Sequence, residues 1–125
     1  MNTEPEIKTR ELSLRVWAPK RPFDRMRGLI GLNTIPSGVG AWFQNCRWVH
    51  TFLMQFPIDC VGLKNDGTVA EIRHAVRASR VIVFSEVVSS VLELREGGVS
   101  LLGLTIGKRI VVMPDATRLE LLGGC

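Results

Sequence analysis

The residues best suited to chemistry lie within Trp48–Gly67, WVHTFLMQFPIDCVGLKNDG. Histidine is the side chain suited to general-base work near neutral pH, so His50 is the first candidate. Asp59 could orient its ring, Thr51 or Ser79 could supply a hydroxyl, and Arg80 could grip an anion through two parallel hydrogen bonds. Arg27 is a further candidate contact at a site rim. Together these residues describe either a small hydrolase- or lyase-like centre built on a His50–Asp59 pair, or a polar site that only binds. The same two residues also allow a structural role. They could satisfy each other, or cap backbone groups where Pro57 interrupts a strand ladder.

Other chemistries are excluded by spacing. Cys46, His50 and Met54 form a soft-metal set suited to copper(I). Positions four apart on a strand are separated by about 13 Å, so one ion cannot join neighbouring members. The same separation keeps a Cys46 thiolate from pairing with His50. The chain holds no CxxC, no zinc spacing, no G-x-S-x-G elbow and no paired-carboxylate signature. No metal and no cofactor are implied.

These residues need strands to hold them. Glu11–Trp17 alternates apolar and polar side chains, the pattern of a half-buried strand. Lys20–Ile30 predicts a short helix with Phe23, Met26 and Ile30 on one face, opened by Pro22 and closed by Gly31. Gly28 inside it implies a close backbone approach. Gly40–Asn45 and Trp48–Phe56 read as strands or one bent strand, with Trp48, His50, Phe52, Met54 and Phe56 forming an inward row. Ile58–Leu63 and Thr68–Val76 form a hairpin across Asn65-Asp66-Gly67. Val81–Phe84 is apolar, Ser90–Leu94 is a strand with Glu93 facing outward or paired with an arginine, and Val99–Leu104 fits one helical turn. Lys108–Met113 and Arg118–Leu122 are expected to close the chain as a hairpin. This pattern predicts a mainly β, single-domain β-sandwich or distorted barrel with one short N-terminal helix. A loose segment over 1–9 precedes one β-rich domain over 10–123.

A chain of 125 residues buries about two-thirds of its unfolded surface, enough for one core. An apolar share of 46% excludes general disorder. A net charge of +4, without a basic run, argues against a nucleic-acid surface. The N-terminus carries no export signal and no apolar run is long enough to span a membrane, so a cytoplasmic location is expected. Cys60 reads as a small core residue and Cys125 as an exposed terminal thiol.

Several ordered pieces carry a family resemblance. Arg27-Gly28-Leu29-Ile30-Gly31 looks like an opening that ends Gly-Leu-Met/Leu-Gly. His50-Thr51-Phe52-x-Met54-x-Phe56-Pro57-Ile58-Asp59 resembles the signature His-Thr-Phe-Gly-Met-Arg-Phe-Pro-Ile-Asp. Asp66-Gly67-x-Val69 and Val91-Leu92-Glu93-Leu94-x-x-Gly97 are similar to its hairpin and its later strand. The chain thus resembles the bacterial and archaeal "domain of unknown function 192" family. The resemblance implies a compact β-rich sandwich. It also implies relatives that are sometimes exported, some of them associated with pilus or envelope assembly. Leu53, Gln55, Gly62 and Lys108 stand where that pattern has Gly, Arg, Phe and Asp, and Ala78-Ser79 replaces a Pro-Trp pair. The resulting expectation is a binding or assembly module with a shallow polar site formed by His50, Thr51, Asp59, Arg80 and Arg27. Its partner would be a small molecule, a glycan or a peptide.

Overall fold

The structure, a computed structural model, describes residues 12–32 and 34–121. The expected loose segment over 1–9 and Cys125 lie outside the described residues. Eleven elements follow along the chain: β1 (Leu12–Trp17), α1 (Pro22–Arg27), β2 (Val39–Gln44), β3 (Trp48–His50), β4 (Ile58–Leu63), β5 (Val69–Val76), β6 (Val81–Val83), β7 (Ser90–Arg95), α2 (Gly98–Leu101), β8 (Ile110–Met113) and α3 (Arg118–Leu121). Six strands form one mixed sheet in the order β5-β4-β7-β2-β1-β8, and β3 and β6 form a separate two-stranded ribbon. β1 runs parallel to both β2 and β8, and the other sheet pairs are antiparallel. The outer strands approach at one end through the Thr68–Arg109 bridge, without closing a barrel.

Both faces of the sheet are covered. β4 is buried at every residue and β7 at every residue but Arg95. One face carries Leu14, Val16, Val61, Leu63, Leu92 and Leu94 under Val99 and Leu104. The other carries Ala41, Phe43, Ile58, Cys60 and Val91 under Leu29, Leu32 and the ribbon's Val49 and Ile82. This is the mainly β, sandwich-like single domain that the strand pattern implies. Gly62, on the second face, has no room for more: a Cβ there would sit 2.8 Å from the Val88 side chain and 3.0 Å from the Phe84 ring.

Several local expectations are corrected. Among the described residues, the N-terminal helix and the helical turn near Val99 are joined by a third short helix, Arg118–Leu121. Gly28 ends α1 with a φ of 48°, a turn that suits a residue without Cβ, so the helix stops before Ile30 and Met26 lies exposed. The expected C-terminal hairpin does not form, because β8 pairs with β1 and Arg118–Leu121 is helical. The inward row of Trp48–Phe56 is broken as well. β3 ends at His50, and a turn closed by the Met54 N–H on the Thr51 carbonyl, 3.2 Å, folds the chain back. Met54 is thereby buried, whereas Trp48 is 55% exposed and Phe52 47%.

Asp59 decides how three segments meet. Opposite it the β4–β5 register slips, because Ile58 pairs with Val76 but Cys60 with Arg73. The extra β5 residue is a bulge, with Ala75 at a φ of 48°. The freed Ala75 N–H donates to Asp59 Oδ1 at 2.9 Å. Asp59 Oδ2 accepts the N–H groups of Gly97 at 3.1 Å and Val99 at 3.0 Å, in the turn that opens α2. The side chain is 1% exposed. Of the roles open to Asp59, this is the capping one.

Two stability changes follow. Asp59→Ala orphans three backbone donors and is expected to cost about 3 kcal/mol or more in urea unfolding; a loss below about 1 kcal/mol would show that water replaces the carboxylate. Leu53 holds a φ of 63° with its side chain exposed, where leucine carries strain of roughly 1–2 kcal/mol. Leu53→Gly is expected to raise stability by about 1 kcal/mol after glycine's entropy cost. An unchanged or lower unfolding midpoint would show that Leu53 carries no such strain.

Candidate functional site

A cleft of about 550 Å3 lies between the end of α1 and strand β3. Arg25, Arg27 and Ile30 line one wall, every residue from Asn45 to His50 lines the other, and Phe43 and Glu93 also border it. Two arginines hold the α1 wall. Arg25 Nη2 donates to the Gln44 carbonyl at 2.7 Å, at the end of β2. Arg118, from α3, donates to the Ile30 carbonyl at 2.6 Å and lies against the Trp17 ring. Arg27 and Arg47 are exposed at the cleft and have no hydrogen-bond or ion-pair partner among the described residues.

The opposite wall is a strand edge. The Phe84 N–H donates to the Arg47 carbonyl at 2.8 Å and the Thr51 N–H to the Arg80 carbonyl at 2.9 Å. In an antiparallel pair, hydrogen-bonded positions alternate. Trp48 and His50, paired with Val83 and Val81, therefore turn their N–H and C=O groups away from β6. Among the described residues no strand pairs with β3 on that side. The Trp48 carbonyl takes the Cys46 thiol at 2.9 Å. The side chains of Trp48, His50 and Phe52 form a ring ladder, with His50 and Phe52 stacked at 5.3 Å. His50 Nδ1 accepts the Phe52 N–H at 3.3 Å, which places the proton of a neutral ring on Nε2.

The floor holds a buried acid. Glu93 follows Val91 on the same face of β7, and that face is inside. It is 5% exposed, and no donor among the described residues reaches its carboxyl. Burial pushes its pKa up to about 8. At neutral pH the side chain is therefore chiefly the neutral acid, with one O–H donor and a free carbonyl oxygen. The nearby Cys60 thiol is pushed up by its own burial first, then by Glu93 and Asp59. The expectation that Glu93 faces outward or pairs with an arginine is thus overturned.

The predicted site residues separate into two groups. His50 and Arg27 meet at the cleft. Asp59 does not pair with His50, since its oxygens are occupied by Ala75, Gly97 and Val99. Thr51 is fully buried: its hydroxyl donates to the Arg77 carbonyl and accepts the Arg80 N–H at 2.9 Å, tying the 77–80 loop to the end of β3. Arg80 is exposed and reaches its neighbours' carbonyls, at Ala78 and Ser79. Cys46 and His50 do share the cleft, but among the described residues no metal-binding cluster forms.

The family's sequence profile, described as "Uncharacterized ACR", matches residues 5–112. The chain belongs to the DUF192 family. Two solved structures share the fold. One, from Sinorhizobium meliloti 1021 and described as a "putative transcription regulator", is 26% identical, with a TM-score of 0.69 over 75% of this chain and 78% of that one. Another, a protein of unknown function from Novosphingobium aromaticivorans DSM 12444, is 17% identical, with a TM-score of 0.69 over 77% and 73% of the two chains. Among curated proteins none matches the chain. Among the described residues no helix is long and apolar enough to cross a membrane.

Because folding raises the Glu93 pKa from 4.5 to about 8, the unfolded chain binds fewer protons in that window and stability falls as pH rises through it. Glu93→Gln removes this contribution. The variant's gain in melting temperature over the unaltered protein is expected to be small at pH 5 and to grow by pH 8. Equal differences at both pH values would show that Glu93 ionises freely.

Proposed function

We propose that this DUF192 protein is a binding module and that the cleft between α1 and β3 is its site. The reading is carried by Glu93, a carboxyl at the floor of a largely apolar cleft that no donor reaches among the described residues. A mostly apolar cleft with a single polar group at its floor is the pattern of a ligand site, and a group that the protein leaves without a donor is free to meet a ligand. Its neutral form offers one donor and one acceptor, the complement of an amide or a carboxylic acid. Phe43 and Ile30 supply apolar contact, and Arg27 and Arg47 supply positive charge at the mouth. The ligand is one with an apolar body, a hydrogen-bonding group directed to the floor and an anionic group at the mouth. His50 contributes a ring edge to the same mouth, whereas Asp59, Thr51 and Arg80 support the scaffold.

Titration with 8-anilinonaphthalene-1-sulfonate, an anionic aromatic probe, tests the site by fluorescence. One probe per chain is expected, with binding weakened about tenfold or more in Arg27→Glu and the melting temperature unchanged. His50→Ala is also expected to keep its melting temperature while losing affinity. Equal affinity across all three proteins would remove the cleft from consideration.

A further inference from the structure

Resting on that reading, we infer that the occupant of the cleft is an extended acidic peptide segment that joins the β3–β6 ribbon as a third strand along the outer edge of β3. Three observations converge on this occupant. The first is the alternation along β3, which turns the N–H and C=O groups of Trp48 and His50 to an edge that no strand pairs among the described residues, where the Trp48 carbonyl meets only the Cys46 thiol. An open edge presents the hydrogen-bonding template that extended peptides use. The second is position. The whole stretch from Asn45 to His50 borders the cleft, so the edge opens into a space rather than onto another element. β3 itself, Trp48–His50, spans about 10 Å of extended edge, enough for a short peptide strand to pair with.

The third observation is charge. Arg27 and Arg47 stand at the two walls with no partner among the described residues, and the chain carries a net charge of +4. A second copy of the chain would bring the same arginines to the same edge, and like charges disfavour that pairing. An acidic segment meets them with opposite sign. In an added strand, alternate side chains point to opposite faces. One set would enter the cleft toward Phe43 and Glu93, where apolar side chains fit. The other would lie beside the exposed rings of Trp48 and His50 on the outer face of the ribbon. The arginines then select acidic residues where the peptide leaves the cleft. Small anions can use the arginines and the floor, but they leave the strand edge unpaired.

The test uses a blocked seven-residue peptide of alternating glutamate and leucine, titrated by calorimetry against the whole chain. Binding is expected, weakened about tenfold or more when alternate peptide amides are N-methylated, and lost when lysine replaces glutamate. On the protein side, Trp48→Pro removes an N–H that the β3–β6 ladder does not use, and proline is tolerated at such an edge position. It is expected to bind about tenfold more weakly than Trp48→Ala, which isolates the N–H from the loss of the ring. If Trp48→Pro fails to fold, the N-methylated peptide on the unaltered protein still decides. Equal binding of the N-methylated peptide would overturn the strand-addition inference. Binding of the anilinonaphthalene probe without binding of either peptide would overturn the inference and leave the cleft as a small-molecule site. Failure of both probes would overturn the cleft reading itself.

Discussion

The arrangement of this fold depends on one buried carboxylate. Asp59 lies in a strand that is otherwise wholly apolar, yet removing it would disturb more backbone than removing a leucine. Its two oxygens reach a bulge in β5 and the turn between β7 and α2, which are joined by nothing else so direct. A buried acceptor with three backbone donors is satisfied, and the donors are satisfied with it. The bulge and the turn are therefore not independent irregularities. Each leaves amides that only an acceptor at this position can take.

The second constraint is that the sheet has no solvated face. In a one-sided sheet Glu93 would alternate outward into water. Here both faces of β7 are covered, so alternation only decides which interior the carboxyl enters. It enters the side where α1 and the ribbon fail to meet, and the gap between them is the cleft. The cleft is thus a flaw in the second layer of the sandwich, with the arginines of α1 on one side and a strand edge on the other. Arg25 ties the α1 wall to the Gln44 carbonyl, and Arg118 of α3 grips the Ile30 carbonyl just past the helix.

The strands with regular alternation or clear turn chemistry were legible in the sequence. Ile58–Leu63 and its hairpin through Asn65-Asp66-Gly67 lie where the residues indicate, because turn type and strand period agree there. The break at His50 was not legible from period alone. Trp48 to Phe56 keeps an apolar rhythm interrupted only by His50, and nothing in that rhythm marks Leu53 as the left-handed residue. The last helix was missed because four residues carry too little pattern to separate helix from strand. Of the site, His50 and Arg27 were visible as polar residues near the signature. Glu93 was visible as a charge inside Val91-Leu92-Glu93-Leu94, but its meaning depends on the second cover of the sheet, a tertiary fact. Asp59 was rightly singled out, though its chemistry serves the backbone.

The place of β1 in the sheet has a consequence for how the molecule is made. This first strand lies between β2 and β8 and runs parallel to both. Its pairing with β8 joins nearly opposite ends of the described chain, with Leu12 beside Ile110 and Arg15 beside Met113. Such distant contacts close long loops before any reward, and domains rich in them fold on the scale of milliseconds to seconds. During synthesis β1 emerges before the other described strands and can complete its ladder only after β8 has left the ribosome. Until then one of its edges stays bare. A ribosome that stalls before Ile110 would leave an aggregation-prone strand rather than a folded fragment.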